Sequence, residues 1–263
     1  MKRRTVILSV LVLPVSIALV SCEQMYSINL FEKLTQPAIS AASVAGMTSA
    51  EIVALTGSAD SMAKLAADKA AKDAALAKLE ATYQEDCSTG TGQAAAIAAA
   101  DIAIKTVSDA AQFAASAINL VTINFSSAST TDIVNALTGI LPADVAGSLS
   151  SASEPPAAFV DMLNAFTSAS SAFTALNNGI GSGAAFADPS VEADSAKKTE
   201  IAVNAVISGL LSTVTPASGT TSAEALWSAL CNPASASGFV TFNSGAATGP
   251  DVSNLLDAAG LTL

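Results

Sequence analysis

Residues 92–125, GQAAAIAAADIAIKTVSDAAQFAASAINLVTINF, are apolar around most of the circumference of the helix that they could form. Their polar residues recur every three or four positions and make one narrow stripe, which consists of Asp101, Lys105, Ser108, Gln112, Ser116 and Asn119. A helix that is apolar on most sides belongs in the interior of a bundle. The stretch therefore predicts a long, largely buried central helix over about 93–125.

A membrane-inserting helix is the functional alternative for this stretch. Asp101, Lys105 and Asp109 would each cost about 2.5 kcal/mol or more near the centre of a bilayer. The interior of a soluble bundle is therefore favoured.

Further helices begin at recognisable caps. Thr48 with Glu51 and Thr221 with Glu224 have capping-box spacing. The segment from Thr130, TTDIVNALTGIL, is similar to the one that follows Thr48. The three segments could form a helical repeat, but their irregular spacing favours ordinary reuse of a good helix start.

An aromatic series predicts a packed helix in the second half of the chain. Phe159, Phe166 and Phe173 are seven residues apart, which is the spacing of a core-facing helical seam. A glycine-rich connection over 179–189 predicts a hinge, and Asp188-Pro189 starts a further helix. Only GFVTF, from Gly238, is strand-like, and it is too short to build a sheet. The fold class expected is an all-α helical bundle with irregular Gly-, Ser- and Thr-rich connections.

The composition excludes several classes of function. The chain has 263 residues and no histidine, and its only arginines are Arg3 and Arg4. Catalytic triads and zinc sites that use histidine are therefore impossible. From residue 22 onward, 8 lysines stand against 22 acidic residues, a formal charge of −14. Nucleic-acid binding requires a basic face, so this partner is excluded.

The N-terminus has the features of an export signal. Residues 2–4, KRR, precede an apolar run over 6–20. This run is shorter than the ~20 residues that a membrane-spanning helix needs. We expect a signal peptide rather than a permanent membrane helix.

The four residues Leu19-Val20-Ser21-Cys22 resemble the lipobox of bacterial lipoprotein precursors, in which a branched apolar residue, a tolerant position and a small residue precede a cysteine. Val20 makes the match a loose one, of a kind that is common among spirochaete lipoproteins. The resemblance implies that Cys22 receives a diacylglycerol and that residues 1–21 are cleaved from it. It covers only the first 22 residues. The implied mature protein is a single α-helical extracytoplasmic domain over 22–263, held on a membrane by its lipid chains.

Two cysteines, Cys87 and Cys231, remain once Cys22 carries lipid. Each follows a predicted helix and precedes turn residues, and an extracytoplasmic compartment permits disulfides. A Cys87–Cys231 disulfide and two free, apolar thiols are both compatible with this pattern. The disulfide requires the two Cα atoms to lie within about 7 Å of each other.

The motifs with catalytic or metal-binding spacing are weak. Ser-x-x-Lys patterns begin at Ser61 and Ser195, but the other boxes of penicillin-recognising enzymes are missing. The acids Asp188, Glu192 and Asp194 are too few for a calcium loop and are favoured near a helix N-terminus in any case. No catalytic residue, metal ligand or cofactor site is therefore expected.

We expect a non-enzymatic, lipid-anchored component of a bacterial cell envelope that binds a protein partner or holds an assembly together. It would lie on the periplasmic side of a membrane or on the outer membrane. A small-molecule-binding accessory protein of a transporter is the alternative, with an apolar pocket between helices. A carboxylate-dependent hydrolase is a more distant one.

Overall fold

The computed structural model describes residues 38–117, 128–182, 185–242 and 252–261. The first helices are α1 (Ala41–Gly46), α2 (Ser49–Thr56), α3 (Ala59–Ala67), α4 (Lys69–Glu85), α5 (Gly90–Lys105), α6 (Ser108–Ser116), α7 (Thr130–Ile140), α8 (Ala143–Ser148) and α9 (Ala157–Ile180). They are followed by α10 (Pro189–Glu192), α11 (Ser195–Ser212), β1 (Val214–Pro216), α12 (Ser222–Cys231), a 3₁₀ helix (Pro233–Gly238), β2 (Val240–Phe242) and α13 (Ser253–Ala259). The all-α helical bundle expected from the sequence is confirmed.

Helices α5 and α9 form the centre of the bundle. α5 packs against α2, α4 and α9, while α9 also packs against α6, α11 and α13. Every residue of α5 between Ala95 and Ile104 is buried except Asp101, which belongs to the predicted polar stripe. Alanine has the highest helix propensity, so α5 is both intrinsically helical and apolar.

The helix predicted over 93–125 is divided by Thr106 and Val107. Val107 adopts an extended conformation (φ −113°, ψ 114°) between the end of α5 and the start of α6. Both residues are β-branched and lose side-chain freedom in a helix. The Thr106 hydroxyl also donates a hydrogen bond to the Ile102 carbonyl (2.6 Å) at the end of α5. The part of the predicted helix over 118–125 lies outside the described residues.

The aromatic residues of α9 form the core seam that their spacing predicts. Phe159, Phe166 and Phe173 are all buried. The ring of Phe166 packs edge-on against Phe113 of α6, with ring centroids 5.5 Å apart. The ring of Phe159 packs against Trp227 of α12 at a centroid distance of 5.1 Å. Aromatic contacts therefore join α9 to both α6 and α12.

Side-chain caps begin several helices. The two predicted capping boxes open α2 and α12, and they consist of Thr48 with Glu51 and Thr221 with Glu224. The third segment also forms a helix, α7, which begins at Thr130 and is capped by Ser129, with Asp132 completing the box.

A two-stranded antiparallel sheet forms near the C-terminus. β2 is the segment with strand-like sequence, and it pairs with β1 so that Val214 lies opposite Phe242. Both side chains are buried. The expectation that this segment is too short to build a sheet is corrected: three residues on each strand suffice for this small ladder, because its apolar side chains pack into the core.

The segment predicted as a hinge, 179–189, lies within one compact unit that extends from Ile39 to Leu263. The Ala187 N–H donates to the side-chain oxygen of buried Gln93 in α5 (2.9 Å), and Phe186 is buried beside it. The segment thus connects α9 to α10 without dividing this unit into two domains.

None of the helices in the described ranges is both long and apolar enough to cross a bilayer. The export signal and Cys22 lie outside those ranges, so their assignments stay predictions.

Candidate binding cleft

A cleft of about 590 Å³ lies between the α5–α6 segment and α11. α5, α6 and α11 all pack against α9. The residues that line the cleft are Ile104 and Lys105 of α5, Ala111, Ala114 and Ala115 of α6, and Ser195, Ala196, Thr199, Glu200, Val203 and Asn204 of α11. Four of them are alanines, whose small side chains leave the space between the helices open.

The deepest lining residues are apolar, apart from one amide. Ile104 and Val203 are 1% and 3% exposed. Asn204 is 4% exposed, although it is polar. Val203 and Asn204 lie three and four residues after Glu200, so helical geometry places both on the same side of α11 as Glu200.

Four charged residues beside the cleft form one ion-pair cluster, which consists of Asp101, Lys105, Lys197 and Glu200. The Lys105 Nζ lies 3.0 Å from Asp101 Oδ1 and 2.8 Å from Glu200 Oε1. The Lys197 Nζ lies 3.1 Å from Asp101 Oδ2 and 3.4 Å from Glu200 Oε2. Each charge therefore has two neighbours of opposite sign, and the cluster is neutral as a whole.

The electrostatics of this cluster keep Lys105 and Glu200 ionised. Burial disfavours the charged form of Lys105, but Asp101 and Glu200 outweigh this effect and raise its pKa. Burial also opposes the charge on Glu200, yet Lys105 and Lys197 lower its pKa. Proton transfer in catalysis favours a group with a pKa near the working pH. Lys105 and Glu200 are shifted away from neutrality and do not fit that role.

The sequence left a Cys87–Cys231 disulfide and two free thiols open as alternatives, and in the structure both cysteines are free thiols. Cys87 contacts Gly179, near the C-terminal end of α9. Cys231 lies one helical turn from Trp227, which packs on Phe159 near the N-terminal end of α9. At about 1.5 Å per residue, those two ends of α9 are roughly 30 Å apart. This separation greatly exceeds the Cα distance of ~7 Å that a disulfide permits.

The lysines of both Ser-x-x-Lys patterns are paired with acids. The Lys64 Nζ lies 3.2 Å from Asp60, and the Lys198 Nζ lies 3.0 Å from Glu192. A lysine that activates a serine must give up its proton, which an adjacent carboxylate disfavours.

The acids over 188–194 serve the local structure. Asp188 accepts a hydrogen bond from the Ser190 N–H (2.8 Å), and Asp194 accepts one from the Lys197 N–H (3.0 Å), as helix caps do. The carboxylate of Glu192 accepts from the Phe186 N–H at 3.0 Å. Within the described part of the chain, no group of three or more acidic or cysteine side chains could hold a metal ion.

Two further cavities are built differently. A groove of about 660 Å³ between α4, the α5–α6 junction and α9 is lined partly by the exposed side chains of Asp161, Asn164 and Ser168. A cavity of about 320 Å³ lies beside Trp227, whose indole N–H donates to the Ala152 carbonyl (3.2 Å). Among the residues that line these two cavities, no buried polar side chain resembles Asn204. The cleft beside α11 is therefore the candidate site.

No protein-family model, curated protein or solved structure matches this chain. The assignment of the candidate site therefore rests on the geometry of the cleft. Sequence patterns identified Asp101 and Lys105 as polar residues on a buried helix, but not Glu200 or Asn204. The spacing of Glu200 and Asn204 among the apolar residues of α11 could have placed them on one side of that helix, but it could not show that this side faces α5.

Proposed function

We propose that this protein is a lipid-anchored, non-enzymatic binding protein of a bacterial cell envelope, which holds a small and mainly apolar molecule in the cleft between α5–α6 and α11. The observation that supports this function is the cleft itself. Its volume falls in the range of small-molecule sites, and its lining is mainly apolar with few polar groups, as is usual for such sites.

The lipobox supports the location. A diacylglycerol on Cys22 would keep the domain beside a membrane, because lipid chains bind bilayers with about 0.8 kcal/mol per buried methylene. A protein fixed there is in the compartment where apolar molecules concentrate. The location is thus consistent with an apolar ligand.

The charges beside the cleft support a binding role rather than catalysis. A carboxylate-dependent hydrolase needs an acid whose pKa is raised towards neutrality. Glu200 has a lowered pKa, because Lys105 and Lys197 more than offset its burial. The cleft also favours small-molecule binding over the partner-binding or assembly role that the sequence placed first.

Mass spectrometry tests the lipid anchor. We expect the protein extracted from membranes to begin with a diacylated Cys22, and Cys22→Ala to abolish both lipid incorporation and cleavage. Cys231→Ala is the matched control, and its lipid should be retained. An unlipidated mature N-terminus at another residue would contradict the anchor.

Photo-crosslinking tests the cleft in the membrane-bound full chain. A ten-carbon alcohol that carries a diazirine group should label peptides of α6 and α11. Ala115→Trp should reduce this labelling at least fivefold, since Ala115 is an exposed lining residue and the indole would fill the space. Ala66→Trp, at an exposed position of α3, should leave it unchanged. Labelling that is spread evenly over the surface would contradict the proposed function.

A further inference from the structure

We infer that the cleft selects an uncharged molecule and that Asn204 binds its hydroxyl, carbonyl or amide group. This inference rests on the proposed function and specifies the chemistry of the ligand. It depends on two independent observations, which are the internal neutrality of the ion-pair cluster and the buried amide of Asn204.

The cluster has no charge left for a ligand. Lys105 and Lys197 are each within 3.4 Å of two carboxylates, and Asp101 and Glu200 are each within that distance of both lysines. An anionic ligand would have to displace a carboxylate from a lysine, and a cationic ligand would have to displace a lysine from a carboxylate. Either exchange removes one of the two counter-charges of a partly buried member of the cluster, which is unfavourable. A neutral ligand avoids this cost.

Asn204 is the most deeply buried polar residue of the cleft lining. It is 4% exposed. Among the described residues, the side-chain polar atoms that are fully buried without a partner are Asn177 Nδ2 and Ser208 Oγ, so the amide of Asn204 is not one of them. An asparagine amide has both a donor and an acceptor, so it matches a hydroxyl, a carbonyl or an amide. A ligand group that forms a hydrogen bond with this amide gains affinity.

The position of Asn204 also gives the orientation of the ligand. Asn204 lies one helical turn after Glu200, and the buried residues Val203 and Ile104 line the same cleft. The three alanines of α6 line the opposite wall. The polar group of the ligand would therefore lie at Asn204, with its apolar part against α6.

Three photoreactive probes with the same ten-carbon diazirine chain test the charge selectivity: an alcohol, a carboxylate and an alkylammonium. The full chain is labelled in its membrane, and labelled peptides are quantified by mass spectrometry. We expect the alcohol to label the cleft at least fivefold more than either charged probe. Stronger labelling by a charged probe would overturn the inference.

Substitutions of Asn204 test its role. Asn204→Leu keeps the side-chain size and should lower labelling by the alcohol at least fivefold. Asn204→Ala and Asn204→Ser form a matched pair, since both shorten the side chain but only serine keeps a hydrogen-bonding group. We expect the serine variant to label more strongly than the alanine variant. Asn164→Leu, at an exposed position of α9 outside the cleft, is the control.

The outcomes separate this inference from the proposed function. The role of Asn204 would be overturned if the leucine variant were labelled by the alcohol as strongly as the native protein and the alanine and serine variants were labelled equally. The cleft would then remain a binding site. Absence of cleft labelling by all three probes in the native protein would overturn the proposed function itself. Circular dichroism of each variant shows whether the helical fold is retained, and the alanine–serine comparison applies even if the leucine variant does not fold.

Discussion

The loop after α4, which contains Asp86 and Cys87, closely approaches two helices at glycine residues. A Cβ atom added at Gly179 of α9 would clash with the Cys87 carbonyl oxygen, and one added at Gly92 of α5 would clash with the Asp86 carbonyl oxygen. Real Cβ atoms do not approach backbone oxygens so closely. Glycine therefore allows this loop to pack directly on the backbones of the two central helices.

The first prediction compares two glycines that are each the penultimate residue of a helix. Gly179→Ala should destabilise the protein by about 1–3 kcal/mol, because the methyl group forces the Cys87 loop away from α9. Gly139→Ala in α7 should stabilise it by up to ~1 kcal/mol, because a Cβ at that position meets no atom within 4 Å and alanine favours the helix. Urea unfolding measures both changes. Equal effects of the two substitutions would contradict the close approach.

The second prediction concerns the reactivity of the two thiols. Burial, assisted by the negative charge of Asp86, raises the pKa of Cys87 to about 11. Cys231 is less buried, and its pKa is also raised by burial. Because the thiolate is the reactive form, iodoacetamide at pH 8 should modify Cys231 faster than Cys87 in the native protein. In urea the two rates should become equal, and mass spectrometry of the peptides distinguishes the two sites.

The sign of the pH effect of Cys87 follows from the same shift. Its folded pKa is raised above the unfolded value, so the native state holds the proton more tightly. Its contribution to stability is complete below the unfolded pKa of about 9 and is lost as the pH rises towards about 11. Cys87→Ala should remove this alkaline loss of stability. An identical decline in the alanine variant would show that other groups cause it.

The third prediction tests α5 and α6 as core elements. Phe113 is 1% exposed and packs on Phe166, so Phe113→Ala should cost about 3–5 kcal/mol of unfolding free energy. Its exposed neighbour is the control, and Gln112→Ala should change the stability by less than about 0.5 kcal/mol.

Hydrogen exchange provides a second measurement of the same elements. Amides between Ala95 and Ile104 should be among the slowest to exchange, because they lie in the buried middle of α5. The amides of Thr106 and Val107, where the helix is interrupted, should exchange faster. Uniform protection across α5 and α6 would indicate one continuous helix and contradict the interruption.

The fourth prediction concerns the whole molecule at low pH. Hydrogen bonds from the backbone and hydroxyl of the cap residue three positions earlier lower the pKa of Glu51, Asp132 and Glu224. Since the folded pKa values are depressed, this stabilisation is present above the unfolded values of about 4 and is lost as the pH falls through the folded values. We expect constant stability between about pH 6 and 8, where the absence of histidine leaves no side chain of ordinary pKa to titrate.

Urea unfolding at a series of pH values measures this effect. The triple variant Glu51→Gln, Asp132→Asn, Glu224→Gln should be less stable at pH 7 and should lose less stability between pH 5 and 3. The control is a triple variant in which glutamine replaces Glu80, Glu85 and Glu154. These three acids are exposed and lie outside the caps. If both triple variants lose stability in parallel with the native chain at low pH, the caps do not cause the acid dependence.

The features that the sequence determined are those with local causes. A capping box links residues only three positions apart, so Thr48 with Glu51 can be recognised without knowing the fold. The spacing of Phe159, Phe166 and Phe173 and the apolar surface of α5 identify buried helix faces in the same way. The export signal and the lipobox around Cys22 are also local patterns, and they stay predictions.

The features that only the tertiary structure decided depend on which elements meet. Periodicity did not reveal the interruption at Thr106 and Val107, because the polar and apolar positions keep their spacing across it. The separation of Cys87 from Cys231 follows from the ~30 Å length of α9 between their surroundings. The cleft arises because α5, α6 and α11 all pack on α9, which brings Lys105 next to Glu200 across almost one hundred residues of sequence. A sequence pattern does not show which helices contact each other, so the site could be found only from the packed structure.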